Sequence, residues 1–317
     1  MKKTVVGIGE LLWDILPDDK AAGGAPCNFA YHVSKSGRNC RGAVVSAVGN
    51  DMLGKELADV MKKRNIELYT GTVEYPTGTV EVVLDENGKP EYNICRDVAW
   101  DHIGLSPEIM ELAARTDAVC FGTLAQRSKD SREAIRAFIR AVPRTAIRIF
   151  DINLRQNYFD EKIIAESLHI ADILKINDEE VGTVRNLLGF DGDDDATFCR
   201  RLIDNYGLIM VIETKGEHGG TVFTADNTYT LPAPKVAVAD TVGAGDSFTG
   251  AFIASLLDGY PISECLRTAV ETAAYVCSRP GAMPDYPVGR RISDTLHCEA
   301  EECRLMADGV LPILPMP

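Results

Sequence analysis

Asp240-Thr241-Val242-Gly243-Ala244-Gly245-Asp246 runs straight into Phe248, Ala251, Phe252, Leu256 and Leu257, apolar residues at helical spacing with Gly259 as the stop. A glycine-rich turn therefore feeds a helix. Small residues at 243–245 let main-chain N–H groups point outward where the helix dipole also favours negative charge, so the turn suits a phosphate or a developing oxyanion. Asp246 stands at the edge of that anion hole as the candidate general base for an attacking hydroxyl. The same amides and dipole are expected to lower its pKa. A loose phosphoryl-transfer transition state tolerates this, because the hydroxyl proton can leave late. Taken alone, the stretch also reads as an Asp capping its own helix. It is not a Walker motif, since neither Gly54-Lys55 nor Gly88-Lys89 is followed by Ser or Thr. The third glycine of a dinucleotide fingerprint is missing as well, both here and at Gly7-Ile8-Gly9.

Outward from this turn, apolar β-branched runs at residues 4–9, 43–48, 118–122, 146–151, 170–176 and 208–214 read as buried strands, with an amphipathic stretch between most of them. One such stretch opens at Asp51 as cap and continues to residue 64, with Leu53, Leu57, Val60 and Met61 on one face. Another runs over residues 263–278. The alternation predicts an α/β fold with parallel strands and crossover helices. Residues 67–73, 77–84 and 91–98 break the rhythm, and Asn87-Gly88 is a hairpin signal between the last two. They predict a small antiparallel sheet, too thin to stand alone, that covers the site as a lid and pairs with a second copy of itself. From about residue 285 the chain becomes rich in proline and charge and is expected to run over the surface.

The second informative cluster lies near the start, where Gly9-Glu10-Leu11-Leu12-Trp13-Asp14 precedes Gly23-Gly24-Ala25-Pro26-Cys27-Asn28. Pro26 fits the first turn of a helix ending before Gly37. The paired glycines allow a ligand close to the backbone, and Asp14 and Asn28 offer acceptors and donors for sugar hydroxyls. The paired glycines also read simply as a strand-to-helix turn.

The 317 residues are 45% hydrophobic and 25% charged, ordinary for a folded α/β chain. With 33 Lys plus Arg against 47 Asp plus Glu, the formal charge of −14 disfavours nucleic acid and anionic membrane as partners. No apolar run reaches the ~20 residues of a membrane span, so the expected location is cytoplasmic. The nine cysteines are odd in number and without a Cys-x-x-Cys pair, and Cys298 with Cys303 makes a poor zinc site. Most are expected to be buried apolar residues.

Together these motifs resemble the ribokinase-like, or PfkB, carbohydrate kinases, with Gly-Gly-Ala-Pro-x-Asn at 23–28 and Asp-Thr-x-Gly-Ala-Gly-Asp at 240–246 in order and about 215 residues apart. The resemblance spans residues 4 to about 284. It implies a three-layer fold with a mainly parallel central sheet and a small β lid, the lid drawn from segments near 10–22 and 67–98. The kinase domain would cover 1–284, with 285–317 as a surface extension. It also implies MgATP as phosphoryl donor, Asp246 as base, and Gly243, Ala244 and Gly245 as anion hole. Asn177-Asp178-Glu179-Glu180 matches the family's Asn-x-x-Glu element, which assigns Asn177 to the nucleotide side and Glu180 to magnesium. Thr214-Lys215-Gly216 with Gly219 resembles its nucleotide loop, and Cys277 before Pro280-Gly281-Ala282 its adenine wall. A potassium requirement is left open.

Gly-Glu-Leu-Leu-Trp-Asp at 9–14, Val98-Ala99-Trp100-Asp101 and Asp151-Ile152-Asn153-Leu154-Arg155 are most similar to the fructokinase branch. The resemblance implies transfer to the 6-hydroxyl of fructose, with Asp14, Gly23, Gly24 and Asn28 on the sugar. Arg155 is expected to bridge sugar and phosphoryl group through its fixed fork of donors. Gly122-Thr123-Leu124-Ala125 would wall the pocket, with Gln126 and Arg127 at its rim. The alternatives are another sugar, a sugar acid or a nucleoside as acceptor, or a non-catalytic sensor on the same fold. A sugar phosphate is disfavoured because no Arg/Lys cluster accompanies the sugar-side motif.

Overall fold

Neighbouring residues of the strands point into two different cores. The computed structural model describes residues 2–16, 19–84, 90–190, 192–288 and 292–296. In chain order its elements are β1 (Lys3–Ile8), β2 (Leu12–Ile15), β3 (Lys20–Gly23), α1 (Ala25–Ser36), β4 (Cys40–Gly49), α2 (Met52–Lys63), β5 (Glu67–Val73), β6 (Gly78–Leu84) and β7 (Pro90–Ile94). They continue with α3 (Pro107–Ala114), β8 (Ala118–Phe121), α4 (Lys129–Ala141), β9 (Ile147–Asp151), α5 (Glu161–Leu168), β10 (Ile173–Asn177), α6 (Asp178–Leu187) and α7 (Asp195–Tyr206). The last are β11 (Met210–Thr214), β12 (Gly220–Thr224), β13 (Thr228–Leu231), α8 (Ala244–Leu257) and α9 (Ile262–Cys277).

Nine strands form the main sheet in the order β13-β12-β11-β10-β9-β8-β1-β4-β5. The seven from β11 to β5 run parallel, and β12 and β13 close one edge antiparallel. Val6, Val119, Leu174 and Val211 point to the face covered by α3 to α7, where they meet Phe138, Leu168, Val184 and Leu202. Val5, Cys120, Ile173 and Ile212 point to the other face, against Phe29 and Val33 of α1, Phe248 and Phe252 of α8, and Leu266 of α9. This period-two division across a doubly covered sheet is the physical content of the expected three-layer α/β fold. The order reverses at β1, flanked by β4 and β8, which places a crevice at the carboxyl ends of those strands.

The lid is a four-stranded sheet in the order β3-β2-β6-β7. Its outer pairings are antiparallel and its central pair, β2 with β6, is parallel. The expectation that 67–98 belongs to the lid is corrected at its first third. There β5 lies parallel to β4 and extends the main sheet, because the helix α2 between them makes it one more β-α-β repeat. The Asn87-Gly88 hairpin lies outside the described residues.

The boundary at 284 also falls too early. Tyr31 Oη donates to Pro284 O (2.8 Å), Tyr275 Oη to Asp285 O (2.7 Å), and the Tyr286 ring packs edge-on to Tyr31 and tilted against His32 and Tyr275. Leu296, 7% exposed, packs on Ala274 and Tyr275. The segment straps α1 to α9 instead of running free. Residues 297–317, with Cys298 and Cys303, lie outside the described residues. The seven described cysteines are all unpaired thiols, five of them buried. Among the described residues no helix is long and apolar enough to cross a membrane.

Candidate active site

Two signature stretches 218 residues apart meet in one hydrogen bond: Asn28 Nδ2, on the first turns of α1, donates to Asp246 Oδ2 at 2.8 Å. Asp246 is the third residue of α8 and is half-buried, so its carboxyl remains open to the crevice. The turn before it depends on Gly243, which caps the helix at φ 77°, in the left-handed region, with an added Cβ only 2.7 Å from the Ala282 side chain. Asp240 clamps this turn. Its Oδ1 accepts from the Val242 amide and its Oδ2 from the Gly281 amide, each at 3.0 Å. His32, 0% exposed, steadies the other side of the contact by donating from Nε2 to Ala282 O at 2.8 Å while Nδ1 accepts from Tyr286 Oη. Burial holds its pKa down to about 4, so the ring is neutral and carries this single tautomer.

The expected anion hole is corrected in one member. The Ala244 amide turns back onto Thr241 O at 3.3 Å, whereas among the described residues no acceptor meets the amides of Gly245 and Asp246. Those two, at the positive end of the helix dipole, are the donors left available to an anion.

The electrostatic expectation for Asp246 is reversed. Burial, and next the charge of Asp151, push its pKa up to about 6, against the Asn28 amide, Lys175 and Arg155, which pull it down. Desolvation outweighs the dipole because most of the carboxyl faces protein. Such a group is ionised at neutral pH yet basic enough to take a proton.

Two further carboxyls share the neighbourhood. Glu10, 4% exposed at the end of β1, lies beneath Gly24, whose φ of 111° brings it against Glu10 O. Burial pushes Glu10 up to about 7, and its Oε2 has no partner. Asp14 of β2 lies over Gly23 of β3, where an added Cβ would sit 2.8 Å from its Oδ2, and burial raises its pKa to about 6. Asn28 holds Asp246 with its donor, which leaves the buried Oδ1 as its unmet acceptor. It is thus first a support for Asp246, beyond the sugar-side role expected for it.

On the nucleotide side, Asn177 and Glu180 form a capping box at the start of α6. Glu180 accepts the Leu154 amide on Oε1 (2.8 Å) and the Asn177 amide on Oε2 (3.0 Å). Glu180 thus fastens the loop after β9 to the end of β10, with burial raising its pKa, and each of its oxygens keeps a further lone pair. Among the described residues no three acidic, histidine or cysteine side chains gather to hold a metal. That loop carries Arg155, which is exposed, and its Asn153 and Gln156 have φ of 43° and 49°. Left-handed non-glycine residues of this kind concentrate at ligand sites.

Thr214, Lys215, Gly216 and Gly219 form the hairpin between β11 and β12, closed by Lys215 N to Gly219 O at 2.8 Å. The Lys215 ammonium is paired to the buried Glu213 at 3.0 Å. Cys277 ends α9, half-buried, and its carbonyl receives the Ala239 and Asp240 amides that lead into the glycine turn. Gln126 departs from its expected place at the rim. It is 0% exposed, with Nε2 on Gly122 O and Ser167 Oγ. Arg127 is likewise turned inward, its Nε and Nη2 each 2.9 Å from the Asp101 carboxylate.

Sequence reasoning missed Glu10, Asp240 and the buried pair Lys175–Asp151. Asp240, Glu10 and Asp151 lay inside quoted motifs, but their partners, the Gly281 amide, the Ala25 amide and Lys175, are set by folding alone. Lys175 sits in a strand that reads as simply apolar.

The pfkB family carbohydrate kinase model matches residues 18–288. Fructokinase-2 of Oryza sativa subsp. japonica is 30% identical over 311 residues, 89% of this chain and 90% of the relative. An uncharacterized sugar kinase of Pyrococcus horikoshii, solved in complex with ATP, is 26% identical with a TM-score of 0.72, covering 88% of this chain and 93% of that one. A fructokinase of Xylella fastidiosa with bound ATP superposes with a TM-score of 0.80 at 22% identity, over 96% of this chain and 100% of that one, and so shares the fold. With the two motifs joined at Asp246 and the family match covering most of its length, the chain belongs to the pfkB family of carbohydrate kinases.

Proposed function

We propose that the protein transfers the γ-phosphoryl group of ATP to the 6-hydroxymethyl group of fructose. The observation that carries this reading is Asp246, half-buried and held by Asn28, beside the amides of Gly245 and Asp246 itself, which meet no acceptor among the described residues. The acceptor oxygen attacks the γ-phosphorus, the bond to the leaving ADP oxygen breaks, and the hydroxyl proton passes to Asp246. Negative charge on the phosphoryl oxygens falls on the two amides and the α8 dipole. Asp14 and Asn28 Oδ1 take sugar hydroxyls, and Arg155, whose charge reaches Asp246, approaches the phosphoryl group from the opposite loop. Thr214–Gly219 and Cys277 bound the nucleotide side. The net −14 charge is screened over ~8 Å at physiological ionic strength, so local donors govern ATP binding. Magnesium fits this site as an ion carried by the triphosphate, whose charge it would screen, with Glu180 as the residue that would help hold it, since each of its oxygens keeps a lone pair beyond the amide it accepts.

Asp246→Asn is expected to lower kcat by ~10²–10⁴-fold with a much smaller change in nucleotide binding. Full turnover in that variant contradicts the assignment. ADP release over a panel of sugars, sugar acids and nucleosides tests the acceptor, and sugar binding without any ATP turnover would instead mark a sensor.

The lid is expected to pair with a second copy of the chain. Leu12, Val80 and Ile94 are already buried against the body, so the pairing would involve the sheet's outer part. A monomer by light scattering at working concentration removes this expectation.

A further inference from the structure

Lys175 and Asp151 are register partners on adjacent parallel strands, and both point to the α8 face of the sheet. Their side chains are 6% and 7% exposed and form an ion pair at 3.1 Å. The pair touches the glycine turn at two points. An added Cβ on Gly245 would lie 2.9 Å from Lys175 Nζ, so the ammonium sits directly against the first turn of α8. Thr249 Oγ1, one turn further along, is 2.9 Å from Asp151 Oδ2 and 3.0 Å from Gly245 O, tying the same turn to the carboxylate. Burying two opposite charges seldom stabilises a fold more than apolar packing of the same volume. A pair placed under an anion-binding turn calls for another reason.

We propose that Lys175, held by Asp151, is a positioning residue for phosphoryl transfer: its ammonium braces Gly245 from within and supplies a fixed positive charge beneath the anion hole. The proposal rests on Asp246 being the base. It also gives the glycine at 245 a reason, since a Cβ there would push the ammonium aside. The charged groups around Lys175 are Asp151, Glu180 and Asp246. Burial works against its positive form, yet these three carboxylates hold its pKa above the ordinary lysine value. Asp246 in turn faces Asp151 from β9, Asn28 from α1, Lys175 from β10 and Arg155 from the loop after β9, and it acts on Glu10 after β1. Asp151 and Lys175 therefore pull the Asp246 proton in opposite directions.

Carbon-13 carboxylate NMR of Asp246, alongside kcat/KM against pH, tests this on the full chain. Lys175→Met should move the Asp246 titration and the acid limb of the rate profile to higher pH, and lower kcat by roughly tenfold, less than the ~10²–10³ for a direct donor. Asp151→Asn should move both to lower pH. Lys175→Arg should restore much of the rate by keeping the charge. Because a lone buried charge can prevent folding, the pair variant Asp151→Asn/Lys175→Met removes both charges together. It should leave the Asp246 titration near its wild-type position while kcat still falls. Loss of stability alone, with an unmoved Asp246 titration and kcat within twofold of wild type, overturns the proposal. A titration that moves while the acid limb stays in place upholds the coupling and overturns Asp246 as the base.

Discussion

Glu10 shows how a single buried carboxyl can set a pH dependence of its own. Its native pKa of about 7 lies above the ordinary 4.5 because burial disfavours the charged form. Between those two values the folded chain keeps a proton that the unfolded chain has released, so its contribution to stability falls as pH rises through that window. Glu10→Gln, similar in shape and never charged, should therefore match wild type at pH 4 and exceed it at pH 8 by on the order of 2 kcal/mol. Urea unfolding at the two pH values checks this, and a less stable variant at pH 8 would refute it. In its proposed role Asp246 acts through catalysis instead. With its pKa pushed up to about 6, kcat/KM should decline below pH 6 as the base takes up a proton.

At the scale of elements, Asp51 is legible as a cap and does more than cap. Its Oδ1 accepts the Gly54 amide at 2.8 Å and the Thr77 hydroxyl at 2.6 Å, and its Oδ2 accepts the Thr77 amide at 2.8 Å. Thr77, 2% exposed, in turn accepts the Gly49 amide at the end of β4. One carboxylate thus joins the start of α2 to the chain entering β6 and the lid. Asp51→Ala should cost about 2–3 kcal/mol, more than the ~1 kcal/mol typical of a lost cap, because the buried Thr77 amide loses its acceptor. Chemical denaturation measures the difference. Asp51→Asn, which keeps an acceptor, should recover part of it.

For the molecule as a whole, the decisive relation is between lid and body. Arg127 sits between the rings of Trp100 and Tyr158, 4.0 and 4.6 Å from their centroids, and also donates to Cys95 O just beyond β7. Arg127→Lys keeps the charge and loses the planar fork that serves Asp101 and Cys95 together. The root of the lid should loosen, and the KM for sugar should rise several-fold while the KM for ATP changes little. Equal changes in both would separate Arg127 from the lid.

The α/β class, the helix after residue 243, the helix opened by Pro26 and the Asp51 cap were all readable from the chain, because each depends on local periodicity or on particular residues at fixed spacing. The assignment of β5 was not, since a half-buried edge strand and a lid strand carry the same alternating pattern. Nor was the pKa of Asp246, whose sign depends on desolvation and on Asp151, 95 positions away. Gln126 and Arg127 looked like rim residues, and the two amides that Glu180 accepts were hidden, because sequence shows which groups are polar or charged but not which partners they meet. Local backbone chemistry determined where the anion turn lies. Only tertiary packing decided how deeply its carboxylate is buried, and which distant charges set its affinity for a proton.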